Sequence, residues 1–595
     1  LLGEVVGRPS SITVTASLAD ATTSARGESL SVTGPVDSLP SLVEALAGKL
    51  LGVGAGEAGY RIPALAGTPL PAVRAYLQGQ EAYRSSRYVE AEGHYRAALE
   101  ADSTFALAAI GFRNAAIWEH NVPPSASAAL RLAWRHRDRL APRDLEYLQA
   151  LLGPHYPEPS MGAERLEAWE RVVVRAPDRA EAWFELGEWL FHYGALMDAC
   201  GDTRDCAARA RPAFERAHEL APDWTTPMVH LLDIAFTLGE RERGVALADS
   251  FLARQPGGTY DLRARAQKAM LMGDTARVMQ IVREGLVDPE YSLGVASVFS
   301  FQGKGISSSL VLAAFDSAMA HAATDAQRRS ILEQRYRLAR NRGWPSEASQ
   351  TLAAMASYNA PRWWLLERQV LDGLYWDGDP AESATAAAEL QASLAAGTAG
   401  AGNVRRQLCT LGQWSVAHDD VRRVAALRDR LRTAPDEAPS HDRMTGEACA
   451  AVLDAAAALL THPADADAVL ERADSIMRQD PPIPVRDPLN LLLAHVFGEA
   501  GKPERALRCA ERHVWDQDAD LYGSTYYFDV ARFAAAAGRT DIATDYYGRY
   551  LAIRDDPEEP LLVQRDRARW ELAQLVDEGA SNADIRSPNG AGPTH

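Results

Sequence analysis

Cysteine is scarce in this chain: Cys200, Cys206, Cys409, Cys449 and Cys509 are the only five among 595 residues. Sulfurs so few and so scattered cannot staple a fold of this size, and the core must come from packing. Long apolar runs are also lacking. No stretch approaches the roughly 18 to 20 consecutive apolar residues that cross a bilayer, and no basic-then-apolar leader precedes a cleavage site. Basic charge is in deficit, with 80 acidic against 62 basic side chains and a formal net charge of -18. Such a surface repels phosphate backbones and anionic membranes, so direct nucleic-acid binding is not expected.

Catalytic patterns are missing as well. There is no H-E-x-x-H, and the 14 histidines are dispersed without metal-ligand spacing, so neither a metal nor a cofactor is expected. No G-x-S-x-G elbow occurs. Gly303-Lys304-Gly305 lacks both the upstream glycine and the following Ser or Thr of a phosphate loop. Gly54, Gly56 and Gly59 satisfy G-x-G-x-x-G, but a helical pattern precedes them and Pro63 follows, where a dinucleotide site needs a strand before and a helix after. No catalytic residue is assigned, and an enzyme is not expected.

A composition of 47% hydrophobic and 24% charged residues can bury several cores, as multiple domains or one extended array. Ile12, Val14, Ala16 and Leu18 alternate with polar residues, the period-two pattern of a half-buried strand. Leu1 to Val6 and Glu28 to Val32 are further strand candidates. Asp37 and Ser38 can cap a helix carrying Leu42, Val43, Leu46 and Leu50, giving a β-β-β-α segment over 1–51. The aperiodic, Gly, Ala and Pro-rich stretch 52–71 reads as a linker. Because Leu1 is not a methionine and falls inside a strand pattern, an upstream region is expected.

The strongest signal is a period of 34 residues, from Pro222 to Pro256 and again from Gly239 to Gly273, with Pro289 one short of the next turn. Trp183, Leu186, Gly187, Leu190, Ala210, Phe214, Ala217 and Pro222 take the roles of large, small, aromatic and closing residues in a helix-turn-helix unit. Gly79, Ala82, Tyr83, Tyr88, Ala91, Tyr95 and Ala98 repeat that order, and Gly538, Ala543, Tyr547 and Tyr550 do so again. These units resemble tetratricopeptide repeats. The resemblance implies a mostly α solenoid of helical hairpins, each leaving an apolar face that only its neighbour covers. Repeats are expected over 72–289, divergent helical repeats over 290–520 with turns near Gly343, Gly378 and Gly501, a last repeat and capping helix over 521–577, and a disordered tail over 578–595.

Residues Leu2-Gly3-Glu4-Val5-Val6-Gly7, Ile12 to Leu18 and Asp37-Ser38-Leu39-Pro40 are similar to the end of a TolB amino-terminal-like domain. In some bacteria that domain joins a serine/threonine kinase or a transcriptional activator to a tetratricopeptide region. The resemblance implies a protein- or peptide-binding part, sensory or scaffolding, of a larger bacterial signalling protein. The alternative is a regulatory half that oligomerises to control an upstream active domain, with a homo-oligomer as its partner. Either the cytoplasm or a tethered position outside the inner membrane would suit it.

By the repeat register, Glu181, Phe184, Glu188 and Phe191 are expected on the concave binding face, with Trp183, Leu186 and Leu190 in the core. Between Pro177 and Pro222 the spacing is 45 residues, an insertion of about eleven that carries Asp198, Cys200, Asp202, Asp205 and Cys206. A six-residue separation from Cys200 to Cys206 permits a disulfide in an oxidising compartment; a polar loop with two free thiols is the alternative. The acidic residues lack EF-hand spacing and a closing bidentate Glu, so calcium is not expected.

Overall fold

A computed structural model describes residues 2–19, 26–120, 124–158, 160–201, 203–254, 258–287, 308–376, 378–397, 403–434, 441–478, 483–513 and 522–586. Pro289 and Gly303 to Gly305 lie outside these residues, as do Asp202 and the end of the tail from 587. The chain divides into two compact units. One comprises Leu1–Ser160, Glu164–Leu186 and Pro212–Met228; the other comprises Met161–Ala163, Gly187–Arg211 and Val229–His595.

The first unit opens with strands β1 (Leu2–Arg8), β2 (Ser11–Ala19) and β3 (Arg26–Gly34), antiparallel in that order, with Val5 opposite Val14 and Val14 opposite Val32. Period two sends Ile12, Val14 and Ala16 to one face, where they bury against Leu46 of helix α1 (Leu39–Gly54). Ser38 stands at the start of α1 without a side-chain capping bond. The stretch expected as a linker is instead folded. A short helix α2 (Ile62–Ala66) follows α1, and Arg61, Ile62 and Leu65 are buried. Gly56 turns the chain at φ +72°, between helices and with no strand before it.

Hairpins then follow one another. Helices α3 (Leu70–Arg84) and α4 (Tyr88–Ala101) pack together, α4 packs on α5 (Ala106–His120), and α5 on α6 (Pro124–Arg135). Next come α7 (Pro142–Leu152) and α8 (Gly162–Arg175), joined by an edge-on contact of Tyr147 with Trp169 at 5.3 Å. Tyr95 shows how these helices approach. It is 1% exposed, and a Cβ added to Gly79 would lie 2.7 Å from its ring; one added to Gly111 would also collide with it. Glycine on two helices makes the hole, and the tyrosine fills it.

Leu186, Phe214 and Pro222 belong to one such hairpin, on and just after α9 (Ala180–Tyr193) and α10 (Thr203–Leu220). Ala210, Phe214 and Ala217 are fully or almost fully buried, and α10 ends two residues before Pro222, which cannot donate the next backbone bond.

In the second unit α12 (Arg241–Leu252) packs on α13 (Gly258–Met272), and α13 on α14 (Thr275–Val287). Beyond 308 the pairing continues: Asp325–Arg342 with Pro345–Met355, Arg362–Tyr375 with Pro380–Ala395, Val404–Ala417 with Val421–Thr433, and Ile483–Glu499 with Pro503–Glu511. Gly523–Ala536 pairs with Thr540–Ile553, whose partner in turn is Leu562–Arg586. That last helix runs through 578–586, which were expected to be disordered.

One turn geometry closes most of these hairpins. Gly239, Gly273, Gly343, Gly501 and Gly538 have φ between +70° and +77°. The next residue donates its N–H to the carbonyl five positions earlier, as Glu240 does to Ala235 and Arg539 to Ala534, both at 2.8 Å. This satisfies a carbonyl left open at the helix end and reverses the chain. Gly378 has no positive φ and turns the chain by another route.

The architecture is therefore a mostly α, tetratricopeptide-like array of helical hairpins with a small N-terminal α+β segment. Helix His441–Thr461 contains a stretch, Arg443–Thr461, that is long and apolar enough to cross a membrane. Alanine supplies much of it, and Glu447 and Asp454 interrupt it, so it is not a run of consecutive apolar residues. Cys449, Val452, Leu453 and Ala455 on it are completely buried in the protein core.

Candidate functional site

Glu181, Phe184, Glu188 and Phe191 share one face of α9, but the two aromatic residues do not form an open surface. Phe184 is 3% exposed and packs against Trp118, Phe214 and Trp224, at ring distances of 5.7, 5.5 and 4.8 Å. Phe191 is 2% exposed, against His192 and His230. Both fill space between helices, because in a stacked array this face is covered by neighbouring hairpins. Leu186 and Leu190 are core residues. Trp183, also expected in the core, is half-buried and donates its indole N–H to the Pro177 carbonyl at 3.0 Å.

Glu181 joins a buried ionic cluster in the first unit. Arg61 forks onto Asp144 through Nε and Nη2 at 3.1 and 2.9 Å and reaches Glu57 at 3.1 Å; Arg179 also donates to Asp144 at 2.9 Å while lying over the Tyr147 ring. Burial raises the Glu181 carboxyl, but Arg179, Arg61 and Arg84 outweigh it and hold the group below its ordinary value. Asp144 behaves alike: burial raises it, and Arg61 with Arg179 pulls it lower. This cluster fastens the segment before α2 onto α7, so its first role is structural. Asp144→Ala leaves two guanidiniums buried without their shared carboxylate, and a loss of about 3–5 kcal/mol is expected in denaturant unfolding. With a folded value below the unfolded one, the stabilisation by Asp144 is complete above about pH 4 and disappears as pH falls through the lower folded value.

The insertion after α9 also docks internally. Arg512 donates to Asp198 at 2.8 Å, and Arg478 pairs with the same carboxylate at 3.3 Å. Asp198 is thus committed to guanidiniums, not presented to a calcium ion. Cys200 and Cys206 are joined by a disulfide with Cα atoms 5.3 Å apart. A second bridge, Cys409–Cys449, spans 40 residues and links two different helices, so no local spacing announces it. Burial pushes the Cys509 thiol up to about 12, which keeps it protonated and a poor nucleophile.

An open concavity lies in the second unit. A cleft of about 590 Å³ runs between Val404–Ala417, Val421–Thr433, His441–Thr461 and Asp467–Met477. Arg405, Arg432, Arg443 and Arg472 line it, against Glu447 and Asp454. Arg405 is spent inside the fold, donating to the Leu431 and Ala434 carbonyls at the end of Val421–Thr433. Asp454 is taken by Arg428 and Arg432. Arg443 and Arg472 are exposed, leaving a basic excess at the cleft in a chain of net charge -18. Sequence reasoning missed this site because the four arginines come from four helices.

A third constellation was also illegible in the sequence. Glu188 and His192 stand one helical turn apart on α9, and His230 of α11 (Thr226–Thr237) places Nε2 2.8 Å from Glu188 Oε1.

No protein-family profile matches this chain, and no curated protein does. Among 122 solved chains similar to it, two stand as examples. One is the crystal structure of the P58(IPK) TPR domain, at 13% identity and a TM-score of 0.17, covering 73% of this chain and 97% of that one. The other is Naa15/Naa10 bound to HypK-THB, at 14% identity and a TM-score of 0.21, covering 91% of this chain and 79% of that one.

Proposed function

We propose that this chain is a non-catalytic polypeptide-binding scaffold, and that the arginine-lined cleft takes an acidic segment of its partner. The carrying observation is the basic excess of Arg443 and Arg472 in a cleft of about 590 Å³, on a protein that is otherwise strongly acidic. Local field reversal of this kind selects partners by charge, and guanidiniums pair with carboxylates in forked geometry. Arg61 and Arg512, by contrast, are committed to buried carboxylates inside the fold.

A place within a larger bacterial signalling protein is part of this proposal. It is supported by the β-β-β-α order of residues 2–54, which suits the TolB amino-terminal-like resemblance. Two disulfides favour the tethered, oxidising side of a membrane over the reducing cytoplasm.

The test is fluorescence anisotropy with labelled peptides rich in Asp and Glu, compared with uncharged peptides of equal length. Acidic peptides are expected to bind with affinity that falls as salt rises, and Arg443→Glu with Arg472→Glu is expected to weaken binding by about tenfold or more, the effect of some 1.4 kcal/mol. Equal binding of acidic and uncharged peptides, or full affinity in the double variant, would overturn the reading.

A further inference from the structure

We propose that Glu188, His192 and His230 form a binding site for a divalent transition-metal ion of the zinc class, stapling α9 to α11. The three side chains present one oxygen and two imidazole nitrogens, and their ligand atoms all lie within 4.8 Å of one another. Glu188 and His192 are four residues apart on one helix, so they project from the same face. His230 comes from a different helix and is 8% exposed in its side chain.

The distances fit. Glu188 Oε1 lies 2.8 Å from His230 Nε2, and its Oε2 lies 3.8 Å from His192 Nε2. Donors around a tetrahedral ion with bonds of about 2.0–2.1 Å sit roughly 3.3 Å apart. Both carboxylate–imidazole separations lie within about 0.5 Å of that value, and the three ligand atoms all fall within 4.8 Å of one another. The imidazole rings, 5.6 Å apart and nearly perpendicular at 88°, can converge on one point without stacking. Phe191 lies against both rings and restricts their rotation.

The donor set selects the ion. Two imidazoles and one carboxylate suit zinc and its neighbours, whereas calcium and magnesium require an oxygen cage that these residues do not offer. Glu188 and His192 keep 24% and 23% of their side-chain surface exposed, which gives the ion an entry path and leaves room for a water as fourth ligand. Three protein ligands with one open position is an arrangement also found in zinc sites that activate water.

The experiment is calorimetric titration of the full chain with Zn²⁺ and with Mg²⁺, after treatment with chelator, followed by Co²⁺ substitution. One equivalent of Zn²⁺ is expected to bind, Mg²⁺ is expected not to, and Co²⁺ is expected to give the intense visible bands of four-coordination. Glu188→Gln and His192→Ala, both at partly exposed positions, each remove a direct ligand and are expected to weaken Zn²⁺ by at least the roughly tenfold to hundredfold typical of losing an outer-shell partner, with unchanged circular dichroism. The site is disproved if Zn²⁺ does not bind, or binds the variants as tightly as the natural chain. Weak six-coordinate Co²⁺ bands would also count against it.

Discussion

Tyr95→Ala is expected to lower the unfolding free energy by about 3–5 kcal/mol, the range for removing a fully buried aromatic side chain. The ring is wedged between Gly79 on α3 and Gly111 on α5, and it also meets Tyr76 at 6.1 Å. Its loss opens a hole that three helices share, and helices held by packing at close range relax poorly into such a space. The converse change tests the same contact from the other side. Gly111→Ala puts a methyl group into the ring and is expected to cost about 1–3 kcal/mol through overpacking. The two effects should not add, because the alanine at 111 finds the vacated space once the ring is gone. Denaturant titration of both single variants and the double variant, followed by tyrosine and tryptophan fluorescence, measures all three terms. Simple additivity would show that Tyr95 and Gly111 do not touch.

Opening the Cys409–Cys449 bridge is the second large change. A loop of 40 residues closed by a disulfide restricts the unfolded chain by about 4 kcal/mol on the chain-entropy account, whereas the six-residue loop of Cys200–Cys206 is worth about 2 kcal/mol. Cys409→Ala with Cys449→Ala is therefore expected to lower the denaturation midpoint more than Cys200→Ala with Cys206→Ala. Both Cys409 and Cys449 are 0% exposed, so the native bridge is expected to resist mild reductant until the helices around it open. Equal midpoints with and without a strong reductant, in the natural chain, would mean that the bridges do not form.

The hairpins were legible in the sequence where glycine marks their turns. Gly239, Gly273, Gly343, Gly501 and Gly538 occupy left-handed backbone that other residues adopt reluctantly, so each announces a reversal. Ser86 and Asp419 do the same work at φ +57° and +53°, and nothing distinguishes them from ordinary polar residues. Ser86 sits in a unit that its aromatic and small residues still announce, whereas Asp419 lies in the divergent stretch 290–520. Phe184 and Phe191 failed as groove residues for a related reason. Helical periodicity tells which residues share a face, but the neighbouring hairpins decide whether that face stays open.

Sites built from several helices were the least visible. Arg61 looked like a residue of an aperiodic linker, yet Asp144, 83 positions later, buries it. His230 lies 38 residues beyond His192 and completes a ligand set that no local spacing contains. One helix, α9, supplies two of the three members, Glu188 and His192, but a Glu and a His one turn apart do not by themselves announce a site. The remaining member is fixed by tertiary packing alone.

Hydrogen–deuterium exchange of the full chain with and without an Asp- and Glu-rich peptide tests the scaffold account most directly. Slowed exchange is expected in the cleft-lining turns of His441–Thr461 and Asp467–Met477, around Arg443 and Arg472, with little change in α3, α5 and α9. Protection confined to those first-unit helices, or no protection anywhere at saturating peptide, would contradict the assignment of the arginine cleft as the partner-binding surface.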